Sequence, residues 1–371
     1  MTRKQIKPGV VLFFIGLLLF EISNFFSNVV FIASYLKIIK FISFGIFIFS
    51  FFTLNKSKIH INVKNFFMIL ILMLLCFISY YKTASTMFIE ILLISLNVIN
   101  LEFKKVVKYD LFIKIFILIF LVSMSFMGLA KSNFVVTRNG EFIRDAYGFY
   151  HPNTFGMVIM MIFFEYLYLQ KDKIGFRQYL IGALSVITIK LTSDTRTAIY
   201  CIIALLLFVP IVKKISTKKY FEVISKNLYI FLLITSLVLT SLYLNNPIMM
   251  KNINIFFSDR LKYQSYYLNL YNVNLFGNNI EYVMTLDNGF MKILLNYGLV
   301  IVLFFDSIFR FNIKKSLRNN DYKLCLIFLI LILFSLAESS IFYIYNNIFL
   351  IYCFNNVIKK VGENWWRKLF Q

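Results

Sequence analysis

Apolar runs of roughly 17 to 21 residues, the length that crosses a hydrocarbon core, recur along the whole chain. They fall near 9–29, 35–54, 65–81, 84–100, 111–130, 153–170, 178–193, 197–212, 228–244, 289–309, 324–341 and 344–358. A water-soluble domain has no use for so many, and only 15% of the 371 residues are charged, against roughly a quarter in soluble proteins. The expected fold is an all-α integral membrane protein: one polytopic domain over 1–371 with about 12 transmembrane helices. The first run follows Arg3, Lys4 and Lys7 but lacks a small-residue cleavage site, so it reads as a retained helix rather than a signal peptide. The many Ile, Phe, Lys and Asn codons implied here point to an AT-rich bacterial genome.

Basic residues set the orientation, because Lys and Arg flanking a span stay on the cytoplasmic side. About 26 of them flank one side and about ten the other. Both termini are therefore expected in the cytoplasm of a bacterial cell, with the protein in its plasma membrane. The net charge of +22 then faces anionic inner-leaflet lipid and implies no nucleic acid. Two outer loops are long, about 131–152 and 245–288, and long ordered loops tend to be functional. In the second, Tyr263, Tyr266, Tyr267, Leu270 and Tyr271 recur at helical spacing after Ser258 and Asp259, either of which suits an N-cap. The four cysteines sit in apolar runs without ligand spacing, and His60 and His151 lie in different loops. That pattern argues for packing cysteines and against a metal site.

The segment RNGEFIRDAYGFYHPN, residues 138–153, is a polar island in this oily chain. Pro152 suits the first turn of a helix, which would put His151 and Asn153 at a helix N-terminus, an end that attracts anions. Arg138 and Arg144 stand in the same loop; a loop arginine often only meets solvent or lipid phosphate, but the guanidinium fork of Arg144 suits a diphosphate. His151 is a candidate general base or positioning donor. Lys190, Asp194 and Arg196 form a second outer cluster, either a local ion pair at a turn or a functional one. In the second loop Arg260 is a candidate for function, Asp287 chiefly for capping, and Glu338 is a carboxylate near the outer end of a span. Glu90 and Glu21 share that argument more weakly.

Taken in order, Arg144 with GFYHPNTFG at 148–156, SDTRTA at 193–198, Asp259-Arg260, LFG at 275–277, LDNGF at 286–290 and NYG at 296–298 resemble the Wzy-type polysaccharide repeat-unit polymerases of the O-antigen polymerase and ligase superfamily. The resemblance covers roughly the last two thirds of the chain. It implies a GT-C-like, metal-independent glycosyltransferase without cofactor, joining undecaprenyl-diphosphate-linked oligosaccharides on the outer face of the membrane. A flippase and a chain-length regulator of the same pathway are the implied partners. Arg144, Arg196 and Arg260 match the arginines that hold the diphosphate and are expected to converge on it. His151, Arg144 and Asp194 are the catalytic candidates; Arg138, Asn153, Lys190, Arg196, Arg260, Asp287 and Glu338 are the substrate-binding ones. Asp145 departs from the pattern, standing where similar chains carry neutral residues. The competing functions are glycan transfer to another acceptor, as in the ligases, and transport of lipid-linked glycan. A transporter is expected to show similar halves and mid-membrane charges lining a cavity, and the sequence has no visible repeat.

Overall fold

The computed structural model describes residues 8–55, 63–99, 101–136, 143–170 and 174–363, with backbone alone at 55, 63–68 and 359–363. His60, Arg138 and the basic flanks at 3–7, 56–58, 171–173 and 367–368 lie outside the described residues. The described chain is helical almost throughout. Its helices are α1 (Pro8–Phe25), α2 (Leu36–Asn55), α3 (Val63–Thr83), α4 (Met87–Val98), α5 (Phe103–Phe126), α6 (Pro152–Leu169), α7 (Phe176–Thr192) and α8 (Arg196–Ile215). They continue as α9 (Lys219–Asn245), α10 (Lys251–Phe256), α11 (Arg260–Leu270), α12 (Gly289–Lys292), α13 (Gly298–Arg318), α14 (Tyr322–Phe334) and α15 (Phe349–Glu363). Six stretches among the described residues are long and apolar enough to cross a membrane: Pro8–Asn28, Ala33–Leu54, Pro152–Leu169, Arg196–Ile215, Lys219–Asn245 and Gly289–Arg318. Shorter apolar helices cover Ile69–Thr83, Met87–Val98, Tyr322–Phe334 and Phe349–Ile358. Large apolar side chains such as Phe41, Phe77 and Phe231 stand outward and exposed, the pattern of a protein whose surroundings are lipid.

Two compact units divide the chain. The first comprises Met1–Ile61, Leu93–Leu207 and Tyr345–Asn355. In it α1 packs on α2 and α5, α5 on α6, and α6 on α7. Small residues let these helices close: Ser50 Oγ donates to the Gly9 carbonyl across 2.8 Å. The core of this unit holds charge. Lys114 of α5 pairs with Asp110 one turn earlier and, at 2.7 Å, with Glu165 of α6, all fully buried. Glu21 of α1 is also fully buried and acts electrostatically on the same lysine.

The segment expected as a long outer loop is partly folded into strands. Strand β1 (Phe134–Val136) pairs antiparallel with β2 (Ile143–Asp145), Val135 opposite Arg144. Asn28 Nδ2 donates to the Phe149 carbonyl at 2.7 Å and Asn133 Nδ2 to the Tyr150 carbonyl at 2.7 Å. These amides tie down both sides of the run that leads into α6.

The second unit comprises Asn62–Leu92, Phe208–Ile344 and Asn356–Gln371. Here α9 packs against α11, α12, α13 and α14. The Gly289–Arg318 span is interrupted by a π-helical turn over Ile293–Tyr297, between α12 and α13. The expected run 324–341 is corrected: α14 ends at Phe334, and a single 3₁₀ turn, Ser339–Phe342, precedes α15. The break has a partner, since Gly289 N–H donates to the Ser335 carbonyl at 2.7 Å. Non-helical backbone within an apolar region is tolerated only where protein or a cavity satisfies it.

Candidate functional site

In the first unit the helix-start signature at 151–153 folds as its residues dictate. His151 is extended and caps α6, its Nδ1 accepting the Asn153 N–H at 3.0 Å, with Pro152 in the first turn where a missing donor does no harm. That cap fixes the imidazole tautomer: a nitrogen that accepts carries no proton, so in the neutral ring the proton is on Nε2. His151 is thereby suited to donating a hydrogen bond rather than to taking a proton.

Asn153, the second residue of the same helix, accepts from Arg144 Nη2 at 2.6 Å, while Arg144 Nε donates to the Ser193 carbonyl at 2.5 Å. The guanidinium is thus held on two edges by groups 9 and 49 residues away. Thr195 closes the joint by donating from Oγ1 to the Pro152 carbonyl at 3.2 Å. Gly156 makes the approach feasible, because a Cβ there would sit 2.6 Å from Thr195. Asp194 follows in the left-handed region, φ 43°. It pairs with Lys190 at 2.8 Å and more loosely with Arg196 Nε at 3.9 Å. Asp194 is largely buried, whereas the Lys190 and Arg196 side chains are 64% and 71% exposed. The two basic groups therefore stay open to an anion arriving from outside. Asp145, whose role the sequence leaves open, is structural here: its carboxylate accepts from Ser132 at 2.7 Å and from the Tyr147 N–H at 2.8 Å. Burial and then the Asp145 charge push the Tyr147 phenol above its ordinary value, keeping it neutral.

No family model, curated protein or solved structure matches this chain.

The second unit gathers the remaining candidates. Arg260, the first residue of α11, lies 3.5 Å from Asp287 and 3.5 Å from Glu338. Asp287 does not cap the following helix; Asn288 does, its side chain accepting from Met291 N–H at 3.0 Å while its amide reaches Ser236 at 3.2 Å. Adjacent Asp and Asn are equally good caps, and the ion pair with Arg260 claims the aspartate. The expected cap of α11 is corrected likewise. Asp259 is left-handed and makes no cap bond, and Asn254 of α10 instead accepts from Lys262 N–H at 3.1 Å. The tyrosine-bearing helix is present, but Tyr267 points into the unit, fully buried, its hydroxyl bridging the Met284 carbonyl at 2.6 Å and N–H at 2.9 Å.

LFG at 275–277 and NYG at 296–298 dock on one another. Leu299 and Val300 N–H, otherwise orphan donors at the start of α13, give to the carbonyls of Asn274 and Leu275 at 3.0 and 3.1 Å. Gly277 and Gly298 both have φ above 80° or at it, 80° and 86°, and a Cβ on Gly277 would fall 1.9 Å from the Asn296 carbonyl oxygen. These motifs are backbone joints.

Several residues that matter escape sequence reasoning. Lys292 sits with Nζ 5.5 Å and 5.4 Å from the ring centres of Tyr282 and Tyr343 and 3.3 Å from Ser339 Oγ. The buried trio of Asp110, Lys114 and Glu165 had a signal, Asp and Lys four residues apart, at the edge of an apolar run. Glu90 accepts from the Thr86 hydroxyl at 2.6 Å. All four cysteines are buried thiols, and no cluster of three metal-ligating residues occurs among the described residues.

Proposed function

We propose that this protein polymerises undecaprenyl-diphosphate-linked oligosaccharide repeat units on the outer face of a bacterial plasma membrane, as a metal-independent glycosyltransferase. What supports the reading is Arg144: a guanidinium locked against Asn153 and the Ser193 carbonyl, at the N-terminus of α6 and beside exposed Lys190 and Arg196. A helix N-terminus with three cations around it suits a diphosphate. In the proposed topology about 12 helices of a GT-C-like fold span the membrane with both termini in the cytoplasm. A flippase would deliver the lipid-linked units, and a chain-length regulator would act on the product.

In the reaction, a hydroxyl of the incoming unit attacks the anomeric carbon of the growing chain, the bond from that carbon to the diphosphate oxygen breaks, and undecaprenyl diphosphate leaves. Arg144, with Lys190 and Arg196, stabilises charge growing on the departing phosphate, each good donor contributing about 3 to 4 kcal/mol. His151 positions an oxygen through Nε2, and Asp194 takes the proton of the attacking hydroxyl. Arg138, outside the described residues, is kept as a substrate-binding candidate. Arg260, set between two carboxylates, is better matched to uncharged parts of the substrate than to an anion.

The test is the full chain in lipid nanodiscs supplied with a defined undecaprenyl-diphosphate-linked repeat unit. A ladder of products differing by one repeat is expected. Transfer only to an added second acceptor would make it a ligase, and movement across the bilayer without new glycosidic bonds would make it a transporter.

A further inference from the structure

The segment 282–287, α12 and Ser339 enclose a cleft of about 410 Å³ in the second unit, within the roughly 300 to 1,000 Å³ of small-molecule sites. Its lining mixes donors and acceptors at close quarters. Lys292 supplies an ammonium, Asp287 a carboxylate, Thr285 and Ser339 hydroxyls, and Tyr282 a partly exposed aromatic ring.

The charges decide what this cleft can take. Arg260 is flanked by Asp287 and Glu338 at 3.5 Å each, and Lys292 is the fourth ionic group. The cleft's own lining carries one cation, Lys292, and one anion, Asp287, and hence no net charge, so an anion gains little over water, while a ligand rich in hydroxyls engages both signs. Lys292 is also held in place. It lies against the faces of Tyr282 and Tyr343 and against Ser339, which fixes the ammonium without neutralising it. Directly after it comes the π-helical turn over Ile293–Tyr297. Such turns re-aim side chains and are frequent at functional sites.

We infer that this cleft binds a neutral sugar residue of the incoming glycan, separately from the anion site at Arg144; the proposed polymerisation supplies only the source of that sugar. The ring's C–H face lies on Tyr282, and its hydroxyls are shared between Asp287, Thr285 and Lys292.

Ligand-observed NMR on the purified full chain tests this with the methyl glycosides of glucose, galactose and N-acetylglucosamine, and with inorganic pyrophosphate. At least one glycoside should bind, and Lys292→Met and Thr285→Val should each weaken it about tenfold, the loss of one hydrogen bond to a well-placed partner. Thr285→Val keeps the inference testable should Lys292→Met lower thermal stability. Pyrophosphate binding should survive both substitutions and be lost in Arg144→Ala. No bound glycoside, or binding unchanged in both cleft variants, overturns the inference, as does pyrophosphate that competes with the glycosides. A wild-type protein that binds glycosides but makes no product ladder sinks the polymerisation reading while leaving the sugar site standing.

Discussion

Arg144 is pinned by the Ser193 carbonyl and the Asn153 side chain and His151 by the Asn153 N–H, which sets sharp expectations for conservative replacements. Lysine at 144 keeps the charge but cannot donate from two fixed edges to Ser193 and Asn153 at once. Arg144→Lys should lower the rate of ladder formation about a hundredfold, the loss of a transition-state contact of about 3 kcal/mol, nearly as far as Arg144→Ala. An activity within a few-fold of wild type at matched abundance would remove Arg144 from the site. For His151 the cap separates two roles. Asparagine supplies an N-cap acceptor and retains a donor, so His151→Asn should keep most of the turnover, whereas His151→Ala loses a cap worth about 1 kcal/mol and the donor as well. If Asn and Ala variants were equally dead while both folded, the ring would be acting as a base. The pairing of Arg144 with a peptide carbonyl was beyond reach of the sequence, since every residue has one. Arg144 itself, His151 and Asn153 were legible because Pro152 announces the helix start.

Elements tell a similar story about what a pattern can carry. Apolar runs revealed nearly every helix, because periodic hydrophobicity needs no tertiary information. They did not reveal the non-helical stretch between α14 and α15, where Ser335 lends its carbonyl to Gly289 and so ends a run that composition alone would continue. Nor could residue type decide between Asp287 and Asn288 as cap, a choice made by Arg260 from far along the chain. The glycine pair at 277 and 298 yields a direct expectation. Gly277→Ala forces both a left-handed Cβ and a collision with the Asn296 carbonyl, and should cost several kcal/mol, as strained and overpacked positions do. The thermal midpoint of the detergent-solubilised protein should fall markedly. Gly45→Ala is the control: a Cβ there meets nothing within 4 Å on α2, and the midpoint should hold or rise slightly, alanine being favoured by about 1 kcal/mol in a helix interior. A Gly277→Ala protein as stable as wild type would mean that the two motifs do not form this joint.

Across the whole molecule, the asymmetry of basic residues implies an orientation that thiol chemistry can read. The native cysteines are all buried, so intact cells should label poorly with an impermeant maleimide. Val283, 74% exposed in the segment expected on the outer face, should label once replaced by cysteine, and Thr217, exposed beside Lys213, Lys214, Lys218 and Lys219, should label only after permeabilisation. The reverse pattern would put the Arg144 cluster in the cytoplasm and end the outer-face proposal. The buried charges of the first unit bear on how such a chain enters a bilayer at all. An ionisable group alone at the centre of a helix resists entry by about 2.5 to 3.5 kcal/mol. Helix α5 brings its own counterion, Lys114 with Asp110 one turn away, whereas Glu165 on α6 has its lysine on the neighbouring helix. Synthesis delivers α5 first, so the cation is already waiting when α6 emerges. In the proposed outer-face orientation, this pairing across Lys114 and Glu165 would let α5 and α6 enter as a hairpin that carries the segment with Arg144 and His151 between them.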